Sequence, residues 1–269
     1  MSSLPSPLPR RRRFTRVPLR IILPNLVTLL ALCTGITAIR YAIEVRFEYA
    51  VIAIVIAAVL DGLDGRLARA LKGTSRFGAE LDSLSDFICF GVAPALVLYM
   101  WSLNQIKSFG WFAALVFAVA AALRLARFNV NAEDPDRPAW ASDYFTGMPA
   151  PAGAIAALLP MALHFSEIGM PNAAAYVPFE IAYLLAVAFL MASRIPHYSG
   201  KTIGRIPREH LPLALFALMV TALLVFTFPM EMLIALTLAY FAMIPLSVRR
   251  VRALAVREGT TTSSSGGNN

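Results

Sequence analysis

The chain has 269 residues, 58% of them hydrophobic and 15% charged, with a net charge of +8 and a mean hydropathy of +0.66. A soluble domain of this length carries about a quarter charged residues, so that class is excluded. What remains is an all-α polytopic integral membrane protein, and the sequence is read in chain order on that basis.

The first ~15 residues, rich in Pro and Arg, read as a flexible basic segment within 1–20. Apolar runs long enough to cross ~30 Å of hydrocarbon then occur about eight times, near 21–39, 48–66, 82–104, 110–128, 149–167, 176–194, 211–228 and 231–248. The first run follows basic residues, as a secretory leader would, and "TLLALCTG" hints at a lipoprotein site. Leu32 is a poor residue before such a cleavage at Cys33, and polar Asn25 sits early in the run. Cys33 and Cys89 both fall in predicted spans and read as small apolar packers without a disulfide role. Short connections after 104 and 228 predict tight hairpins. The membrane domain covers 21–250. The stretch 251–269 begins basic and ends in "TTTSSSGGNN", a low-complexity tail expected to be disordered.

The distribution of charge checks this layout. With the basic N-terminus inside, every one of the 24 Lys and Arg residues except Arg40, Arg46 and Lys107 falls on an inside segment. An even number of spans places both termini in the cytoplasm. Contact with anionic lipid headgroups is a second use for the same charge.

Chemistry is concentrated in "DGLDGRLARALKGTSRFGAELDSLSD", residues 61–86. At 100° per residue Asp61, Asp64, Gly65, Ala68 and Arg69 share one helical face, and Gly78, Asp82 and Asp86 share another. If the two helices form a hairpin, four carboxylates converge. Such a cluster is self-repelling unless a divalent cation, or two, neutralises it. Oxygen-only ligands suit Mg²⁺, Mn²⁺ or Ca²⁺ rather than zinc. Small residues would admit a bulky ligand to the backbone, and Arg69 and Arg76 could neutralise phosphate oxygens. Metals, arginines and a small-residue floor describe a diphosphate site for transfer at phosphorus. A solvated loop explains the charges between 66 and 76, but not acids that keep helical register on both sides of it.

The pattern D-x2-D-G-x2-A-R-x8-G-x3-D-x3-D, filled by Asp61, Asp64, Gly65, Ala68, Arg69, Gly78, Asp82 and Asp86, resembles the signature of the CDP-alcohol phosphotransferases. That resemblance implies an integral membrane enzyme, usually a homodimer, that uses divalent metal to displace CMP from a CDP-linked donor with an alcohol. "LPNLVTL" (23–29), "SRFGAELDSLSDFICFGVAPA" (75–95), "RLARFN" (124–129), "YFTGMPAPA" (144–152) and "SRIPHYSGK" (193–201) resemble the branch whose donor is CDP-diacylglycerol and whose acceptor is L-serine. The resemblance runs from about 20 to 205.

It implies that Asp61, Asp64 and Asp82 hold metal and that Asp86 joins them as general base. Gly65, Ala68 and Gly78 would admit the cytidine and its phosphates, and Arg69 would pair with the diphosphate. The resemblance places Asn25 near the nucleotide or its phosphates; the bland alternative is an interhelical hydrogen bond. Ser75 could donate to a phosphate oxygen, or simply cap the helix it precedes. Arg124 and Arg127, three apart at the inner end of the fourth run, offer one ligand for the serine carboxylate or the reacting phosphate, with positive-inside anchoring as the alternative. Lys201 and the 197–209 loop could cover the pocket. His164, His197 and His210 are scattered and receive no catalytic role. Acyl chains would lie in grooves between helices. The absence of a targeting extension leads to the expectation of a bacterial inner membrane, with the site facing the cytoplasm.

Other readings stay open at this point. A sister enzyme would use glycerol 3-phosphate, inositol phosphate or choline as acceptor. An intramembrane prenyltransferase would want a second acid motif, for which "AEDPDRP" (132–138) is the closest stretch. A cation transporter would want polar residues through the other spans, which have almost none.

Overall fold

The structure is a computed structural model and describes residues 19–132, 144–169, 174–198 and 211–265. Its elements are α1 (Leu19–Ile43), α2 (Phe47–Ala70), α3 (Arg76–Asp86), a π-helical segment (Phe87–Val92), α4 (Ala93–Trp101), α5 (Lys107–Ala132), β1 (Tyr144–Thr146), α6 (Ala150–Ala157), α7 (Leu159–Phe165), α8 (Val177–Ala192), β2 (Pro196–Tyr198), α9 (Leu211–Thr227) and α10 (Pro229–Ser265). The class is helical as expected. The departure is a short antiparallel ribbon, in which Tyr144 pairs with Tyr198 and Thr146 with Pro196.

All eight apolar runs are helical, and among the described residues five stretches are long and apolar enough to cross a membrane by length and composition. They are Leu19–Ile43, Arg76–Trp101, Leu103–Asn131, Ala174–Ala192 and Pro229–Arg250. The other three runs fall short of that measure among the described residues. α2 carries Glu48, Asp61, Asp64, Arg66 and Arg69. The run 149–167 breaks at Leu158, just before Pro160, into α6 and α7. α9 has only 17 residues. At the C-terminus, α10 continues to Ser265, into the stretch expected to lack structure. Thr and Ser are weak helix formers, so that extension propagates from the preceding turns.

The α1–α2 hairpin sets the site. α1 buries Thr28, Ala31, Gly35, Ala38 and Ala42, and α2 buries Ala50, Ala53, Ile54, Ala57 and Asp64. Both stripes recur at helical spacing and are built mostly of small residues, which let backbones approach closely in a membrane. The two helices form the most extensive helix pair in the fold. On its other side Gly35 faces the π segment, where an added Cβ would lie 3.1 Å from both Cα and Cβ of Cys89. Cys89 is buried and its thiol donates to the Ala31 carbonyl (3.4 Å). Cys33, expected to pack like Cys89, is exposed on the outer face of α1.

The hairpin closes through Arg46 N–H to Tyr41 O (2.8 Å) and Val45 N–H to Ala42 O (3.0 Å). This double closure requires the left-handed backbone at Val45, whose φ is 61°. A β-branched residue is a poor occupant of that region, at a cost of roughly 1–2 kcal/mol. Val45→Gly should therefore raise thermal stability in detergent by an amount equivalent to about 1 kcal/mol; an unchanged or lowered midpoint would show that the turn carries no strain.

Candidate active site

The stripe that α2 buries along its length reaches Asp61 and Asp64 in its final turns, so the packing that holds the hairpin also aims these carboxylates. α2 then stops. Gly73 N–H reaches Ala68 O (2.9 Å) and Lys72 N–H reaches Arg69 O (3.2 Å), with Lys72 at φ 51°. Gly73 sits directly on the Arg20 carbonyl, where a Cβ has no room. That carbonyl would ordinarily accept from residue 24, but residue 24 is a proline without an N–H. The chain turns into α3 at Ser75, whose hydroxyl accepts from Gly78 N–H at 3.0 Å. Ser75 is thus a helix cap, and its own hydroxyl hydrogen is left for another acceptor.

Asp61, Asp64 and Asp82 each offer a carboxylate oxygen within 4.8 Å of the others. Asp86 lies against Asp61 and within electrostatic range of Asp82. The convergence read from spacing is therefore present in the fold. Asp64 is buried, and its Oδ2 accepts from Thr28 Oγ1 at 2.7 Å. Ser85 steadies the same point by donating to the Thr28 carbonyl (3.4 Å). The Oδ1 atom of Asp86 is buried without a hydrogen-bond partner, a costly condition for an anionic oxygen. An all-oxygen cluster with an unsatisfied buried acceptor fits a hard divalent cation.

Beside the acids lies a cavity of about 260 Å³. Asp64 and Asp82 line it together with the small residues Gly65, Ala68 and Gly78, and with Asn25, Thr28, Arg69 and Ser75 among others. Gly78 is required there: a Cβ would stand 2.8 Å from Asn25 Oδ1 and 3.1 Å from Ser75 Oγ. A Cβ at Gly65 would meet Arg69 Nη1 at 3.5 Å, so the guanidinium lies over that glycine. Every motif residue except Asp61 and Asp86 lines this cavity.

The two arginines of α5 part company. Arg124 is 7% exposed, within electrostatic range of Asp86 and Asp61. A burial this deep is not that of a headgroup anchor. Arg127 instead donates from Nη1 to the carbonyls of Ala192 (2.8 Å) and Ser193 (3.2 Å) at the end of α8. Two residues beyond Ser193, the Ile195 carbonyl accepts from Gly147 N–H (2.9 Å) and the β1–β2 ribbon follows. Gly147 has φ +84° and stands against the Met191 and Ser193 carbonyls, which leaves no room for a side chain. Residues 144–148 of "YFTGMPAPA" and 193–198 of "SRIPHYSGK", some fifty residues apart, thus meet as one structure. Asn129 donates from Nδ2 to Ser83 Oγ (3.0 Å), tying α5 to α3.

Several participants escaped the sequence reading. Thr28 shares a helical face with Asn25, a signal that was available. The π segment was not foreseen within a predicted continuous span. It follows Asp86 directly and precedes Pro94, which cannot donate to an α-helical carbonyl. His164 lies at the opposite end of the bundle, beside Trp101. Lys201, His210, the loop from 199 to 209, most of "AEDPDRP" and the arginines before Leu19 lie outside the described residues, and of His197 only the backbone is described.

The sequence model of the CDP-alcohol phosphatidyltransferase family matches residues 21–192. A CDP-diacylglycerol–serine O-phosphatidyltransferase of Mycobacterium tuberculosis is 39% identical over 249 residues, covering 92% of this chain and 84% of the relative. The Helicobacter pylori protein of that name is 34% identical over 216 residues (79% and 84%). The Bacillus subtilis one is 31% identical over 179 residues (65% and 90%).

Arg127→Ala should release the end of α8 and accelerate amide hydrogen exchange at Gly147 and along the ribbon at least about tenfold, the scale of a lost charge-assisted hydrogen bond. Exchange unchanged from wild type would show that these two bonds do not hold the ribbon.

Proposed function

This chain belongs to the CDP-alcohol phosphatidyltransferase family, and from that membership we propose how its residues divide the work. The enzyme moves the phosphatidyl group from CDP-diacylglycerol to L-serine, giving phosphatidylserine and CMP. The observation that carries the mechanism is the meeting of Asp61, Asp64, Asp82 and Asp86 beside a cavity that Arg69 overhangs.

Asp61, Asp64 and Asp82 would hold a divalent cation, with Asp86 completing the cluster. Mg²⁺ or Mn²⁺ bound there would supply charge that neutralises the diphosphate. Asn25, Gly65, Ala68 and Gly78 seat the cytidine and its phosphates, Arg69 pairs with the diphosphate, and Ser75 donates its hydroxyl hydrogen to a phosphate oxygen. Thr28 and Ser85 keep the Asp64 carboxylate in place. The serine oxygen forms a bond to phosphorus while the phosphorus–oxygen bond to CMP breaks. The serine proton passes to Asp86, and the bond's electron pair leaves on CMP. Arg124 offsets the charge of the buried Asp86 and Asp61 and is the α5 arginine available to the serine carboxylate or the reacting phosphate. Beside Asp86, an apolar cavity of about 520 Å³ between residues 87–96 and α5 offers room for an acyl chain of the donor. The enzyme works as a homodimer in the bacterial inner membrane, with this end toward the cytoplasm, where serine and CMP are dissolved.

Arg127 bears on the choice of acceptor. A phosphorylated alcohol would call for extra basic residues, and Arg127 is held at the end of α8 by two backbone carbonyls on its Nη1. Serine, with one carboxylate to bind, needs fewer.

Purified protein supplied with CDP-diacylglycerol and Mg²⁺ or Mn²⁺ should release CMP with L-serine and stop on addition of EDTA. CMP release only with glycerol 3-phosphate, inositol phosphate or choline would overturn the acceptor. Asp86→Asn should lower kcat by about 10²–10⁴-fold with Mn²⁺ binding largely kept, while Asp61→Asn weakens Mn²⁺ binding as well; equal loss of metal in both would remove the distinction. Arg124→Ala should lower kcat/KM by roughly 10²-fold, and retention of wild-type turnover would assign that arginine to packing alone.

A further inference from the structure

At the end of the bundle away from the acids, a second cavity has lining chemistry that the transfer reaction does not use. It encloses about 200 Å³ between the end of α4, α7 and the start of α8, room for roughly six waters. Fifteen residues separate Asp86 from Trp101, a rise of about 22 Å, so this cavity lies near the opposite membrane face. Trp101, Tyr176, Phe179 and Tyr183 line it together with Glu180 and His164.

The rings and the carboxylate are held. Trp101 is 8% exposed and packs its ring against His164, centroids 5.6 Å apart. The Tyr183 hydroxyl donates to the Ala156 carbonyl at 2.7 Å, which fixes that ring as a wall. Tyr176 and Phe179 are exposed and form the rim. Glu180 accepts a hydrogen bond from Ser102, a fully buried hydroxyl on the neighbouring turn. An acid in the first turn of α8 is favourable in any case, and aromatic side chains gather at membrane interfaces. Neither fact requires the carboxylate to be pinned by a buried serine inside a ring-lined cavity. A single carboxylate cannot make a divalent-metal site, and its charge repels anions. Aromatic faces beside a fixed negative charge favour an organic cation.

We propose that this cavity binds an alkylammonium group, primary or quaternary, with Glu180 as counter-ion and the Trp101, Tyr176, Phe179 and Tyr183 rings as its walls. The group can arrive on a lipid headgroup of the adjoining leaflet or as a soluble amine. The site is separate from the transfer reaction and does not rest on its details.

The test uses the full-length protein in detergent with Trp111 and Trp140 changed to Phe, so that Trp101 reports alone, and with CMP release confirming that the background is folded. Tetramethylammonium and ethanolamine should change the Trp101 emission saturably, beyond a matched NaCl series. Glu180→Gln keeps an acceptor for Ser102 and should bind at least about tenfold more weakly with CMP release within twofold. Tyr176→Leu, on the exposed rim, should weaken binding severalfold. No saturable change, an identical response to NaCl, or undiminished affinity in Glu180→Gln would each overturn the proposal. In nanodiscs, loss of the amine response when phosphatidylethanolamine replaces phosphatidylglycerol assigns the site to a lipid headgroup. Persistence of the response assigns it to the soluble amine.

Discussion

Everything at the working end of this protein follows from bringing four carboxylates together where apolar helices end. Mutual repulsion and lost hydration oppose that arrangement, and an isolated helix hairpin with acids at its tips would splay. Here Asp61 and Asp64 continue the stripe of small residues by which α2 packs on α1, and α3, which carries Asp82 and Asp86, packs on α1 as well. Separating the two pairs of acids would mean pulling α2 or α3 off that shared helix. A divalent cation would turn the enforced repulsion into affinity, and the unsatisfied oxygen of Asp86 fits that use.

The backbone devices around the cluster serve the same end. Pro24 leaves the Arg20 carbonyl without its helical donor, and Gly73 lets the α2–α3 connection pass directly over it. Ser75 caps α3, and Asp82 follows about two turns in. The π segment after Asp86 changes the phase of the helix between the acids and Pro94. Such segments favour functional sites because they turn side chains without breaking the helix.

α5 divides two tasks within one turn. Arg124 faces the acids, and Arg127 faces the carbonyls that end α8. The second contact anchors the short ribbon that joins two distant stretches beside the site. A membrane helix can ill afford an unsatisfied carbonyl, so an arginine at that position serves structure before it serves any ligand.

Spacing alone determined much of this protein. The apolar runs, the segregation of basic charge and the register of Asp61, Asp64, Asp82 and Asp86 are one-dimensional patterns, because a helix converts sequence distance into angle at a constant rate. The same register named Gly65, Ala68, Arg69 and Gly78 as neighbours of the acids, and they line one cavity. What only the tertiary structure decided concerns contacts between elements, where sequence distance carries no information. Thr28 reaches Asp64 across 36 residues, and Arg127 reaches Ala192 across 65. The continuity of the apolar runs was decided there as well: hydropathy averages over a window, whereas a helix breaks at a single place, as the run 149–167 does between α6 and α7. The division of labour between Arg124 and Arg127, identical in type and three positions apart, depended wholly on which neighbour each one met.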